Sequence, residues 1–390
     1  MTIRPMIGGT IAALAVLLAA CAEPEPSADA VAAEAVAAAP PPIAPYLSPT
    51  TLVTLDGGDT APFGYVGDAV TGPDGSVFIA DFQGRAIHRF DVAGSHIATI
   101  GGQGRGPGEF EAISAIAISA DTVFAWDPVI WRISAFDAEG TLIMAERVEP
   151  RRQSGWPTTV ARIGDGSWLY LDQEIVGLND EGVEVDNDII RAVARLVRWS
   201  PQSDAWSEIA EVPGMQAGLA RSEAGEPSLV TAPFPRGPLW APDRAGGWWY
   251  ADNGAYIVTR YSTAGDTLGR IVVGMQGPLV TDADRESFIS ADGRLEASSP
   301  QSQIRAGMPM PERRPVLLDL LTSQQGDLWV GVDAGVPDSV EWHAFGADHR
   351  MRFRLRLPAL SELLHISGDT LLVVTRDALD VQTVDKVVIR

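Results

Sequence analysis

The run PFGYVGDAVTGPDGSVFIADFQGRAIHRFDVAG, residues 62–94, is followed by a second run of the same design, EFEAISAIAISADTVFAWDPVIWRISAFDAEG, residues 109–140. Phe63 aligns with Phe110, Asp81 with Asp127, Phe90 with Phe136 and Gly94 with Gly140, at offsets of 47, 46, 46 and 46 residues. A third copy, GGWWYADNGAYIVTRYSTAGDTLGRIVV, places Asp252, Tyr261 and Gly265 at a constant offset of 171 from Asp81, Phe90 and Gly94. Self-similarity at a fixed period fixes architecture before any single element does. Within each copy, short runs such as SVFIA, AIHRF and HIATI are rich in β-branched and aromatic residues, and PDG, VAG and AEG punctuate them as tight turns.

Each copy therefore reads as four short strands in about 45 residues, which is the size of one blade of a β-propeller. Such a sheet cannot bury both of its faces alone, so blades must pack face to face around an axis. Weaker copies occupy Trp156 to Pro213 and Pro315 to Pro358, and a copy one strand short occupies Leu363 to Arg390. The missing strand is available at the other end of the chain, in TTLVTL, Thr50 to Leu55. The reading is an all-β, six-bladed propeller of four-stranded antiparallel blades, with the N-terminal strand completing the last blade.

Between the first two copies lies IGGQGRGPGEF, residues 100–110, whose glycines invite a phosphate-cradle reading. Gly102-x-Gly104 is followed by Pro107 where a dinucleotide fingerprint needs its third glycine, and a strand, not a helix N-terminus, comes next. A Walker motif needs a lysine, and the only one in the chain is Lys386. The glycines instead suit a connector crossing from blade to blade, with Phe110 as a plug between the two. The stretch ADFQGRAIHRFDVAGSHIATIGGQGRGPGEF resembles the repeat of six-bladed propellers related to NHL repeats, which are commonly bacterial secreted or lipid-anchored proteins. The resemblance is specific over Thr50 to Gly140, moderate over Gly237 to Pro358 and weak over Arg151 to Pro213. It implies the fold and says little of activity, because the fold hosts both binders and enzymes.

The remaining N-terminal sequence is of another kind. Arg4 precedes an apolar stretch of 14 residues, Ile7 to Ala20, too short to span a bilayer and suited to a signal peptide. It ends in Leu18-Ala19-Ala20-Cys21, which resembles the bacterial lipobox; an ordinary secretory signal is the alternative. Cys21 is the only cysteine, and acylation there would explain a lone thiol in an exported protein. By resemblance to proteobacterial lipoproteins, Ala22 after the cysteine favours the outer membrane. The expected domains are a signal peptide at 1–20, an Ala/Pro-rich tether at 21–49 and the propeller at 50–390. A formal charge of −22 argues against nucleic acid and against a polybasic dock on lipid. The expected membrane contact is the lipid anchor alone, and the expected state is monomeric.

Chemistry-bearing patterns are sparse. The five histidines show no HxH or HxxxH pair, and a zinc site needs three or four convergent ligands. Asp81, Asp127, Asp172, Asp252 and Asp333 recur at the end of the second strand of their blades, as turn caps do. The gluconolactonase type of propeller holds calcium in its central channel through a Glu, an Asn and an Asp. Asp252 and Asn253 are present here without the rest of that pattern, so no cofactor is expected, with calcium as the one left open. The long segments, Gln173 to Arg191, Met215 to Arg236 and Gln276 to Arg314, all fall by strand count on the face that carries the blade-to-blade connectors. Within the last, Thr281 reads as the N-cap of a short helix. Insertions gathered on one face mark a binding surface, to which the count also assigns Phe82, Arg85, Arg105, Trp131, Arg132, Trp240 and Tyr256. The expected function is a binding module for a peptide, glycan or protein, without catalysis; the alternative is a metal-dependent hydrolase or lyase with a calcium-type site in the channel.

Overall fold

The structure, a computed structural model, describes residues 44–56, 63–148, 160–173, 184–186, 189–221, 227–244, 246–291, 293–296, 298–377 and 379–390. The expected signal peptide, Cys21, the tether as far as residue 43 and most of the acidic loop after residue 173 lie outside them.

Six sheets follow one another along the chain. Blade 1 is built from Val66–Thr71, Val77–Asp81, Ala86–Phe90 and His96–Gly101, and blade 2 from Ala115–Ser119, Thr122–Asp127, Arg132–Phe136 and Leu142–Arg147. Blade 3 begins at Val160–Arg162, and blade 4 runs through Pro238–Asp243, Gly247–Asp252, Ile257–Ser262 and Thr267–Val272. Blade 5 comprises Leu317–Thr322, Leu328–Val332, Ser339–Phe345 and Met351–Pro358; blade 6 comprises Glu362–Ser367, Thr370–Arg376 and Gln382–Ile389. The first strand of every blade touches the first strand of the next, and that of blade 6 returns to that of blade 1. The chain is a six-bladed β-propeller.

The sequence pattern explains the layering. Second strands such as Val77–Asp81 and Leu328–Val332 are buried throughout, because neighbouring blades cover both of their faces. Outer strands such as Leu142–Arg147 alternate between half-buried and exposed residues, as one-sided strands must. The core lies between blades: Ile87, Ile100 and Phe110 meet Ile116, Val123 and Phe136 across the first gap. The repeat's aligned glycines, Gly94, Gly140 and Gly265, all sit at φ +89°, a left-handed turn conformation that side chains disfavour.

The chain ends meet as the sequence suggested. Pro49–Leu55 pairs antiparallel with Gln382–Ile389, with Leu55 opposite Val384, and supplies the outer strand of blade 6. Two points differ from the expectation. The tether boundary at 49/50 lies too late, because Tyr46–Leu47 adds a parallel fifth strand to Met351–Pro358 of blade 5. Ala44 is already buried there, and its carbonyl accepts hydrogen bonds from the Arg354 guanidinium. Blade 3 has six strands instead of four. Its central hairpin, Ile189–Ser200 with Ala205–Arg221, overruns the blade and gains Glu184–Asp186 and Pro227–Val230 at its end. Much of the segment read as a loop from Met215 to Arg236 is therefore strand.

The glycine-rich connector is architectural. Phe110 is fully buried between blades 1 and 2, and its backbone N–H donates to Gly102. The loop's amides are turned to an internal anion: Gly106 N–H donates to the Glu109 carboxylate at 2.8 Å. Any side chain at Gly104 would collide with that same carboxylate.

Candidate binding face and channel

Antiparallel strand order puts each second-to-third strand turn on the same face as the blade-to-blade connectors. The recurrent aspartates at those turns are mostly caps. Asp81 accepts from the N–H groups of Gly64, Tyr65 and Gly84, and Asp127 from those of Glu111, Ala112, Val129 and Ile130. Asp333 accepts from Gly335 and pairs with Arg314 at 3.0 Å. Blade 4 departs from the pattern: Asp252 lies between two guanidiniums, Arg191 at 2.9 Å and Arg236 at 2.7 Å.

The residues expected to line this face divide into three groups. Phe82 is exposed, edge-on to Tyr65, and the Arg105 side chain is 71% exposed, 3.4 Å from Glu111. Arg85 and Arg132 are committed to the connector, donating to the carbonyls of Glu111 and of Arg105 and Glu109, while Trp131 packs half-buried against Trp126. Trp240 and Tyr256 do not belong to the face. Trp240 is 6% exposed and packs with Leu196, Trp248 and Tyr250 between blades 3 and 4. Tyr256 is 2% exposed, and burial drives its hydroxyl well above the usual tyrosine pKa. Strand count placed both at the right height in the ring and could not see that their side chains turn into the gap between blades.

Tyr256 instead ends a polar chain that runs through blade 5. It contacts His343 Nδ1 at 2.8 Å; His343 Nε2 meets Glu341 at 3.0 Å; and Tyr46 of the N-terminal strap donates to Glu341 at 2.7 Å. Burial lowers the His343 pKa, and the Glu341 carboxyl is lowered by its hydrogen bonds from Tyr46 and His343 against an opposing burial effect. This array runs from buried Tyr256 and His343 to Tyr46, which is 43% exposed on the outer edge of blade 5. Its trace in the sequence is EWH, two polar residues two apart on one face of a strand.

The channel carries groups that the sequence reading passed over. Inner strands of blades 1 and 5 bulge after Val66 and Leu317, and the residues that follow the bulges are Asp68 and Asp319. Burial lifts both carboxyls to about 7. Asp68 accepts from Ala69 N–H and from Ile116 N–H of the next blade, whereas Asp319 accepts only from Leu320 N–H. Glu362 opens blade 6 beside them with an exposed side chain; burial of part of it raises its pKa, and the nearby Arg376 charge opposes that rise. At the far end, His365 faces Gln324 and is depressed to about 4 by burial and by Arg244. The signal available was a lone acid in an apolar inner strand, VGDAV and LLDLL. Calcium takes six to eight oxygens, and this set does not fit it: Asp68 is already committed to backbone N–H groups. Among the described residues no three His, Cys, Asp or Glu side chains converge as a metal site requires.

The connector face also carries most of the exposed apolar side chains. Leu379 and Leu360 are 84% and 77% exposed, and Val381, Val336, Phe82 and Tyr65 accompany them on blades 5, 6 and 1. In the turns of the opposite face, Val92 is the single large exposed apolar residue among those described, with Ile97, Ile143 and Leu268 on the outer strands that follow such turns. Blades 3 to 5 raise a rim on the connector side. There the helix Asp282–Ser290, capped by Thr281 as expected, packs with Pro300–Gly307, and Met308 lies against Gly218 of the long hairpin.

No family model and no curated protein matches the chain. Among solved structures, it is similar to a protein of Bacteroides fragilis described as exported, at 13% identity and a TM-score of 0.47, covering 88% of this chain and 95% of that one. It is also similar to virginiamycin B lyase from Staphylococcus aureus (13% identity, TM-score 0.42, 88% and 99% covered). A third is the PQQ-bound aldose sugar dehydrogenase of Streptomyces coelicolor (14%, 0.42, 90% and 100%). No residue role follows from likenesses at these identities.

Proposed function

We propose that the propeller is an extracytoplasmic binding module, anchored to a bacterial envelope through Cys21, that docks a polypeptide partner on its connector face. The observation that carries this reading is the asymmetry of apolar exposure between the two faces. Isolated exposed leucines are ordinary, but a concentration on one face, bordered by a raised rim, is the usual mark of an interaction surface. Leucine and valine side chains outnumber aromatics there, which favours polypeptide over sugar, since sugar platforms use aromatic rings. The test is a photo-crosslinking amino acid placed at Phe82 on the connector face and, as control, at Leu268 on an outer strand. Irradiated in envelope preparations, the first position should trap a discrete protein and the second should not. Equal or absent crosslinking at both would sink the reading.

A second reading is favoured by one observation. Two carboxyls held near 7 in a channel have the poise of acid–base groups, as the hydrolase or lyase alternative would need. Under that reading, Asp319→Asn abolishes turnover of a small substrate while crosslinking at Phe82 is unaffected.

A further inference from the structure

The exposed apolar residues sit on connector-face loops of three adjacent blades, 5, 6 and 1. Ala359 N–H donates to Asp338, which brings the Leu360 connector against the Val336 loop. Val66 N–H receives the Gln382 side chain as acceptor, which ties the Leu379 turn of blade 6 to blade 1. Glu362 follows Leu360 by two residues and projects no hydrogen bond or ion pair to any described residue. The neighbouring cation, Arg376, is shared: it pairs with Asp380 at 3.1 Å, lies over the Tyr65 ring and acts on Glu362 only through its charge. Asp319, with a single backbone donor, stands behind Glu362. The surface is thus apolar at its border and holds more carboxyls than cations at its centre, Glu362 and Asp319 against one shared Arg376, on a chain of net charge −22.

We infer that the connector face takes a polypeptide segment in which apolar residues flank a lysine or arginine, the cation seating at Glu362 and Asp319. This rests on the binding-face reading above and specifies its partner. Charge complementarity selects the occupant: an acidic or neutral apolar segment would bury Glu362 with only the shared Arg376 to offset it, which costs more than it returns. A basic side chain reaches past the leucines on its own methylene stem and leaves its charge at the carboxylates.

The full chain is offered two immobilised libraries of acetylated, amidated decapeptides with the same leucine, valine and phenylalanine content. One carries lysine and arginine, the other aspartate and glutamate. The basic library should be retained, in a salt-dependent way, and the acidic one should not. Leu360→Ser with Leu379→Ser should abolish retention, and Glu362→Gln should weaken the best basic peptide by about tenfold, the size expected for losing one partly desolvated charge pair. Equal retention of both libraries, or an unchanged affinity in Glu362→Gln, overturns the cation assignment while the leucine variants still report on the face. No retention of either library, with a partner trapped at Phe82, overturns this inference alone. Retention that survives both leucine substitutions overturns this inference and the binding-face reading together.

Discussion

Deleting residues from the N-terminus in three steps should dissect how the ring is held shut. Removal of residues 1–43 takes away nothing that the described structure holds and serves as the reference. Extending the deletion to residue 48 removes the strap. Lost with it are the Tyr46 hydroxyl on Glu341 at 2.7 Å, the Arg354 and Arg356 bonds to that hydroxyl, the Arg354 contacts to the Ala44 and Pro45 carbonyls, and the Ser48 bridge to Arg390. Hydrogen bonds contribute about 1 kcal/mol each, and ordering the five residues offsets most of that sum, so a net loss of about 2 kcal/mol is expected. For a domain of this size that is a fall of about 4 °C in Tm. Deletion through residue 55 also removes Leu55, 1% exposed and packed with Val374, Val384 and Phe63. It bares the edge of Gln382–Ile389, and the product should be insoluble. Leu55→Ala, which keeps the ladder, should cost about 3 kcal/mol and remain soluble. Thermal melts by circular dichroism report the series. If the deletions to 43 and 48 melt together, the strap contributes nothing; if the deletion to 55 is as soluble and stable as the reference, the closure is wrong.

Two further outcomes are expected. The folded Asp319 carboxyl titrates at about 7 against an ordinary 3.8, so the folded state holds an extra proton between those values and that contribution to stability is lost as pH rises from about 4 to about 7. Asp319→Asn cannot ionise, so its Tm relative to the parent should rise between pH 5 and pH 8; a constant difference would mean that the carboxyl titrates normally. Cys21→Ser should release the protein from membranes or leave its precursor unprocessed, as fractionation and intact mass will show; mature processing with unchanged membrane retention would contradict acylation.

The fold was legible because propeller blades repeat the same physical problem. Gly94, Gly140 and Gly265 recur since the third-to-fourth strand turn needs a positive φ, and Asp81 and Asp127 recur since the turn at the other end needs a cap. Closure by Thr50 to Leu55 was legible from the strand missing at the C-terminus. The strap was not, because Tyr46 and Leu47 form only two parallel pairs and carry no periodicity to detect. The candidate site was half legible. Strand counting gave the face and found Phe82 and Arg105, but it cannot tell which way a side chain turns between blades, and so Trp240 and Tyr256 were assigned outward. Asp68 and Asp319 are illegible for a related reason: each follows a strand bulge, which leaves no mark in the sequence.

How the arginines are used supports assigning recognition to blades 5, 6 and 1 and not to the rim. Arg105 lies 3.4 Å from Glu111, and five further guanidiniums of the face have structural duties. Arg85 and Arg132 hold the connector, Arg191 and Arg236 share Asp252, and Arg314 joins Asp284 to Asp333. Drawing Arg191, Arg236 or Arg314 to a ligand would take a partner from a half-buried carboxylate, at a cost of a few kcal/mol, and drawing Arg85 or Arg132 would release connector carbonyls. Glu362 carries no such obligation. The strap lies apart from this patch, since it docks on the outer edge of blade 5 through Arg354. Among the described residues, the patch where Glu362 has only a cation shared with Asp380, amid exposed leucines, is where a partner has energy to gain.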